Sequence, residues 1–104
     1  MADISYNTVV NGEYTPQVGD RYEISPGNWG TMPPPTVGLQ KKLAKMADEE
    51  ASDLEMAREI VKDAKNFGEE DVIFGMAQAV VKDFFTLTAR IVEKLMQGLP
   101  QSDQ

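Results

Sequence analysis

The sequence predicts a mainly α protein: an antiparallel two-helix hairpin preceded by an extended, Pro/Gly-rich N-terminal arm with room for a short β-hairpin. Three observations carry this. Five of the six prolines and five of the eight glycines lie in residues 1–38. From Leu39 to Leu99 there is no proline, and apolar residues recur at three- and four-residue steps, the period of a helix with a buried stripe. Gly68 interrupts that pattern and Gly98 with Pro100 ends it, so helices are expected at about 39–66 and 69–98, with a tail at 99–104.

In the arm, Ile4-Ser5-Tyr6-Asn7-Thr8-Val9-Val10 is β-prone, and Asn11-Gly12 makes a good two-residue turn before Glu13-Tyr14-Thr15. Pro26-Gly27, Trp29-Gly30 and Pro33-Pro34-Pro35 read as a stiff linker of polyproline character. Tyr6, Tyr14 and Tyr22 recur every eight residues and Trp29 follows seven later. Two readings stay open: a docking arm that lays these aromatics on a neighbour, or a disordered leader.

The first helix presents Leu39, Leu43, Met46, Ala47, Ala51, Leu54, Ala57, Val61 and Ala64 on one stripe, with charged pairs such as Lys45–Glu49, Glu55–Arg58 and Glu59–Lys62 opposite. Ser52-Asp53-Leu54-Glu55 fits a capping box, which would break this helix near Asp48-Glu49-Glu50. One continuous helix is the preferred reading. In the second helix, Glu69-Glu70-Asp71 place carboxylates on the first turn, where the helix dipole favours them.

That second helix carries most of the information. Gln78, Lys82, Thr86, Arg90, Lys94 and Gln97 form one narrow polar stripe. Ile73, Ala77, Val80, Phe84, Leu87, Ile91 and Leu95 make one apolar seam, and Phe74, Val81, Phe85, Val92 and Met96 a second, about 100–140° away at 100° per residue. One partner helix covers one seam. The expected hairpin core is therefore Leu43, Leu54, Val61, Ile73, Val80, Phe84, Leu87, Ile91 and Leu95, which leaves Phe74, Val81, Phe85, Val92 and Met96 as an assembly interface. Covering five such side chains is worth on the order of 7–15 kcal/mol as an upper bound. A competing arrangement folds residues 1–38 over that second seam, using Tyr6, Val9, Val10, Tyr14, Tyr22 and Trp29.

Composition narrows the function. A net charge of −7 argues against nucleic acid and against an anionic membrane surface. There is no Cys and no His, so the thiolate nucleophile, the thiolate zinc site and the commonest general base are all missing. Glu55/Glu59 and Glu69-Glu70-Asp71 read as solvated helix surface and dipole capping rather than an acid–base pair. Gly27, Gly30 and Gly38 lack the spacing of a phosphate loop, and Met46, Met56, Met76 and Met96 read as core filler. No catalytic, metal or cofactor residue is expected, nor a small-molecule substrate. The Val72–Val92 stretch, with Lys82, Asp83 and Arg90, is a poor membrane span. The start, Met1-Ala2-Asp3-Ile4-Ser5-Tyr6, lacks the pattern of a cleaved signal peptide, which leaves a cytoplasmic protein or one exported by a signal-independent system.

The stretch Phe84-Phe85-Thr86-Leu87-Thr88-Ala89-Arg90-Ile91-Val92-Glu93-Lys94-Leu95-Met96-Gln97-Gly98-Leu99, with Glu70-Asp71-Val72-Ile73-Phe74-Gly75-Met76-Ala77-Gln78 before it, resembles the needle and inner-rod subunits of bacterial type III secretion systems. The likeness covers about 60 residues and rests on pattern. It departs at the turn, which lacks prolines, in the longer arm, and in the tail from Pro100 to Gln104. The resemblance implies a helically packed filament with the last helix turned inward. Without it, the residues still predict a non-enzymatic subunit that meets copies of itself, or a helical binding module, such as a secretion chaperone, an adaptor or a small phage virion protein, that meets another protein.

Overall fold

Residues 3–31, expected as an extended arm, build a three-stranded sheet in the computed structural model, which describes residues 2–98. Strand β1 (Asp3–Ile4) pairs in parallel with the central strand β2 (Arg21–Ser25), and β3 (Asn28–Thr31) pairs with β2 antiparallel. Tyr22 and Ile24 alternate inward along β2 while Arg21 points out, its guanidinium 5.1 Å from the centre of the Trp29 ring. The sequence Asn11-Gly12 is not a hairpin turn. It ends a short helix, α1 (Tyr6–Asn11), with Gly12 at φ 66° and its N–H on the Thr8 carbonyl. A glycine able to take positive φ serves either role, and only the neighbours decide which. The hairpin forms instead at Pro26-Gly27, within the stretch read as linker.

The single helix expected at 39–66 is two: α2 (Val37–Asp48) and α3 (Asp53–Ile60). At the end of α2 the Glu50 N–H bonds the Ala47 carbonyl and the Ala51 N–H the Met46 carbonyl, the pattern of a Schellman stop. Glu50 takes the left-handed conformation (φ 60°) that glycine usually supplies there. Ser52 then caps α3, its Oγ accepting from the Glu55 N–H at 3.2 Å. The capping box, not the hydrophobic period, sets this boundary.

The last helix, α4 (Met76–Gly98), starts seven residues later than expected. The Ile73 N–H donates to the Ile24 carbonyl at 2.7 Å, which draws the chain onto β2, and Gly75 at φ 83° breaks the helical path. Glu69, Glu70 and Asp71 therefore lie exposed on a turn rather than in a helical first turn. The expected tail at 99–104 lies outside the described residues.

Among the described residues the fold is mixed: four helices and one small sheet around a common core. Ile4, Tyr22, Ile24 and Met32 from the N-terminal third meet Leu43, Ala57, Ile60 and Val61 from α2 and the α3 region, and Met76, Val80 and Phe84 from α4. The sheet is thus part of the body that buries the first half of α4. Two side-chain links fasten it: Asn28 exchanges hydrogen bonds with both backbone groups of Lys65 (2.7 and 3.1 Å), and Asp63 accepts from the Thr31 N–H at 2.8 Å. The long axis is 54 Å and the radius of gyration 14.9 Å, above the roughly 13 Å of a globule of this length. The 23-residue α4 rod is itself about 34 Å long.

Gly30 on β3 leaves no room for a side chain, because a Cβ there would sit 2.6 Å from Val61 Cβ. Gly30→Ala is expected to cost about 1–3 kcal/mol by overpacking, read as a lower urea midpoint at unchanged slope. A neutral or stabilising effect would show that the sheet does not press on the α3 region.

Candidate interaction surface

Helix α4 divides into two halves with different fates. From Met76 to Leu87 its inner face is closed off: Met76, Ala77, Ala79, Val80, Val81, Asp83, Phe84 and Leu87 are all buried. Beyond that the body falls away. Arg90 Nη1 reaches the Pro16 carbonyl at 3.1 Å, and Val92, Glu93, Lys94, Leu95, Met96 and Gln97 are all exposed. Phe85, Ala89, Val92 and Met96 follow steps of four, three and four, so they line one side of the rod, with Leu95 flanking it. The exposed fractions are 40% for Phe85, 49% for Val92, 64% for Leu95 and 63% for Met96. Phe85 is steadied from behind by Phe84, edge to face at 5.8 Å. These four side chains present on the order of 400 Å² of apolar surface, comparable to the largest patch on a typical monomer.

The two seams read from the sequence are redistributed. Val81, expected at the interface, is buried in the common core. Leu95, expected in the core, is exposed on the last turns of α4, beyond Leu87, the last buried residue of that helix. Phe74 is 84% exposed but stands on the turn before Gly75, outside the stripe. Ile91, Leu54 and Ile73 are half-buried, and Leu43 and Val61 are fully buried. The four arm aromatics do not form one docking face: Tyr6 is exposed, Trp29 and Tyr14 are half-buried, and Tyr22 is wholly buried.

Tyr22 and Tyr14 have another task. Both phenols donate to one oxygen of Asp83, at 2.7 and 2.6 Å, and Asp83 itself is 4% exposed. A carboxylate on the buried face of an apolar helix needs donors, and the chain brings two of them from more than sixty residues away. Burial, and then the bond to Asp83, push both phenol pKa values above the usual tyrosine range. This cluster fastens the N-terminal segment to one face of α4. The sequence signal for it was a lone acid at the helical spacing of Ala79, Val80, Phe84 and Leu87.

A second surface feature is a groove of about 750 Å³ between the Pro33-Pro34 linker, the start of α2 and the end of α3. Met32, Leu39 and Ile60 supply apolar lining. On its rim Lys42 and Lys62 converge on one oxygen of Glu59, at 2.7 and 2.9 Å, and these bonds hold the Glu59 carboxyl below the ordinary glutamate range. Among the described residues no group of three His, Cys, Asp or Glu side chains could hold a metal, and no helix is long and apolar enough to cross a membrane.

Comparison of the chain with family models, curated proteins and solved structures found no match. The surface therefore has to be read from its own chemistry.

Tyr22→Phe should cost about 1.5–3 kcal/mol, the range for a hydrogen bond to a charged acceptor. Because folding raises the pKa of both phenols, their contribution is complete below the unfolded value of about 10 and is lost as pH rises above it. In a Tyr6→Phe background, phenolate absorbance should accordingly appear only together with loss of helical circular dichroism. For Glu59 the sign is opposite. Its lowered folded pKa contributes stability above the unfolded value of about 4.3, lost as pH falls below it. Glu59→Gln should flatten the fall in stability between about pH 5 and pH 2, and an unchanged acid limb would show the lysine bridge to be inert.

Proposed function

We propose that this chain is a non-enzymatic structural subunit that self-associates through the overhanging end of α4. The observation that carries the reading is the stripe Phe85, Val92, Leu95 and Met96, exposed on a helix end that no other described element accompanies. Water-facing apolar surface of this size usually marks a partner site. In this reading α4 is the helix that meets the partner, and the sheet and shorter helices cover its first half. A narrower form places the chain among type III secretion needle or inner-rod subunits. It rests on the pattern of about 60 C-terminal residues, and the sheet of residues 3–31 is an addition to such a subunit.

One observation favours a second reading, in which α4 meets a different protein. The net charge of −7 makes copies repel at low salt, whereas a basic partner would be attracted.

Sedimentation over a wide concentration range separates the two. Self-association predicts a mass that grows with concentration, and more readily as salt screens the repulsion. Val92→Asp and Met96→Asp should each abolish that growth with helicity unchanged, because both positions lie in water in the monomer. Leu87→Asp should instead unfold the protein, since a charge would be buried unpaired. A wild-type protein that stays monomeric at millimolar concentration in high salt would sink the reading and leave the hetero-partner.

A further inference from the structure

Resting on that self-association, we infer its geometry: two copies pair antiparallel along α4, Ala89 against Ala89, with Lys82 of each beside Glu93 of its partner. The open face of α4 is longer than its apolar part. Gln78, Lys82, Phe85, Ala89, Val92 and Met96 are all exposed. They follow one another at steps of four, three, four, three and four, the spacing of a seam that a second helix covers along its length. That seam runs for about 27 Å, past the covered half of α4 as well as along its free end.

The charges beside the seam select a second copy as its occupant. Lys82 and Glu93 are exposed, and among the described residues neither makes an ion pair. At about 100° and 1.5 Å per residue they lie roughly 20° apart round the helix, on one flank of the stripe, and roughly 16 Å apart along it. The opposite flank carries Thr88 and Leu95 and no charge. When two copies of a helix pair antiparallel about a two-fold axis, the same flank of each lies on the same side and runs in opposite directions. Lys82 of one protomer then meets Glu93 of its partner, and the contact occurs twice. A parallel pair would set this flank against the uncharged one, leave all four charges unpaired and align the two helix dipoles unfavourably.

The same charges fix the register. Apolar burial permits two antiparallel registers one turn apart. In one, Phe85 faces the partner's Val92 and Ala89 faces Ala89; in the other, Phe85 faces the partner's Met96 and Ala89 faces Val92. The second carries Lys82 about 9 Å along the axis past Glu93, beyond a direct ion pair. The first brings the two within about 3 Å of axial offset, which a lysine stem spans while lying along Met96. It also places the smallest side chain of the stripe at the axis, where the helices approach most closely. The contact is isologous, so it is complete with two copies and the mass it produces levels off at that of a dimer.

Charge reversal tests this pairing, because both positions lie in water in the monomer and the variants should fold. Lys82→Glu and Glu93→Lys, each folded by circular dichroism, are expected to dimerise about tenfold more weakly than the wild type at one moderate ionic strength, since two attractive pairs become two repulsive ones. Glu93→Lys is the decisive single variant. It makes the chain less acidic, so general repulsion alone predicts tighter association. The double variant Lys82→Glu/Glu93→Lys keeps the net charge of −7 and should recover wild-type affinity. An equal mixture of the two single variants should form a heterodimer in preference to either homodimer. A Glu93→Lys protein that associates as tightly as the wild type, or a double variant that stays weak, would overturn the antiparallel register while leaving self-association standing. A wild type that never associates would overturn both.

Discussion

A carboxylate buried on an apolar helix face is a constraint that the rest of the chain has to satisfy. Asp83 sits among Ala79, Val80, Phe84 and Leu87 on α4, where an unpaired charge would be prohibitive. Tyr14 and Tyr22 meet it, both on the same oxygen. To bring Tyr22 there, β2 must lie along α4, and with β2 come its sheet partners and Ile4, Ile24 and Met32. The N-terminal third is therefore part of the body. It covers one half of α4 and stops. Phe85, Val92 and Met96 stand about 180–220° around the helix from Asp83, on a face this cover does not reach, and they stay exposed.

The same constraint explains what could be read from sequence. Period 3.6 located α4 and its apolar excess, because a long helix with two apolar seams leaves few other interpretations. It could not show which seam would be covered where, since that depends on elements with no period of their own. The residues of β2, Arg21-Tyr22-Glu23-Ile24-Ser25, alternate over too short a run to stand out from a Pro/Gly-rich background. Asn11-Gly12 is ambiguous in principle, as a hairpin turn and a helix C-cap ask the same φ of the glycine. The break between α2 and α3 was legible in Ser52-Asp53-Leu54-Glu55, where capping outweighs an alanine-rich stripe that buries little. The late start of α4 was not legible, because it follows from the Ile73–Ile24 backbone bond, a contact between residues forty-nine apart. Asp83 was the overlooked clue: a single acid on an apolar face, in a chain with tyrosines elsewhere, implies that those tyrosines come to it.

Charge distribution bears on which partner surface the exposed end of α4 would tolerate. The chain is strongly acidic, but α4 is not: Lys82, Arg90 and Lys94 stand against Asp83 and Glu93, and Asp83 is buried. The acidic excess lies on the rest of the molecule. The exposed end of α4 thus combines an apolar stripe with a mildly basic flank, Arg90 and Lys94 against Glu93, on an otherwise acidic chain. Burial of the stripe sets how strongly that end holds a partner, and the charges beside it set which surface approaches.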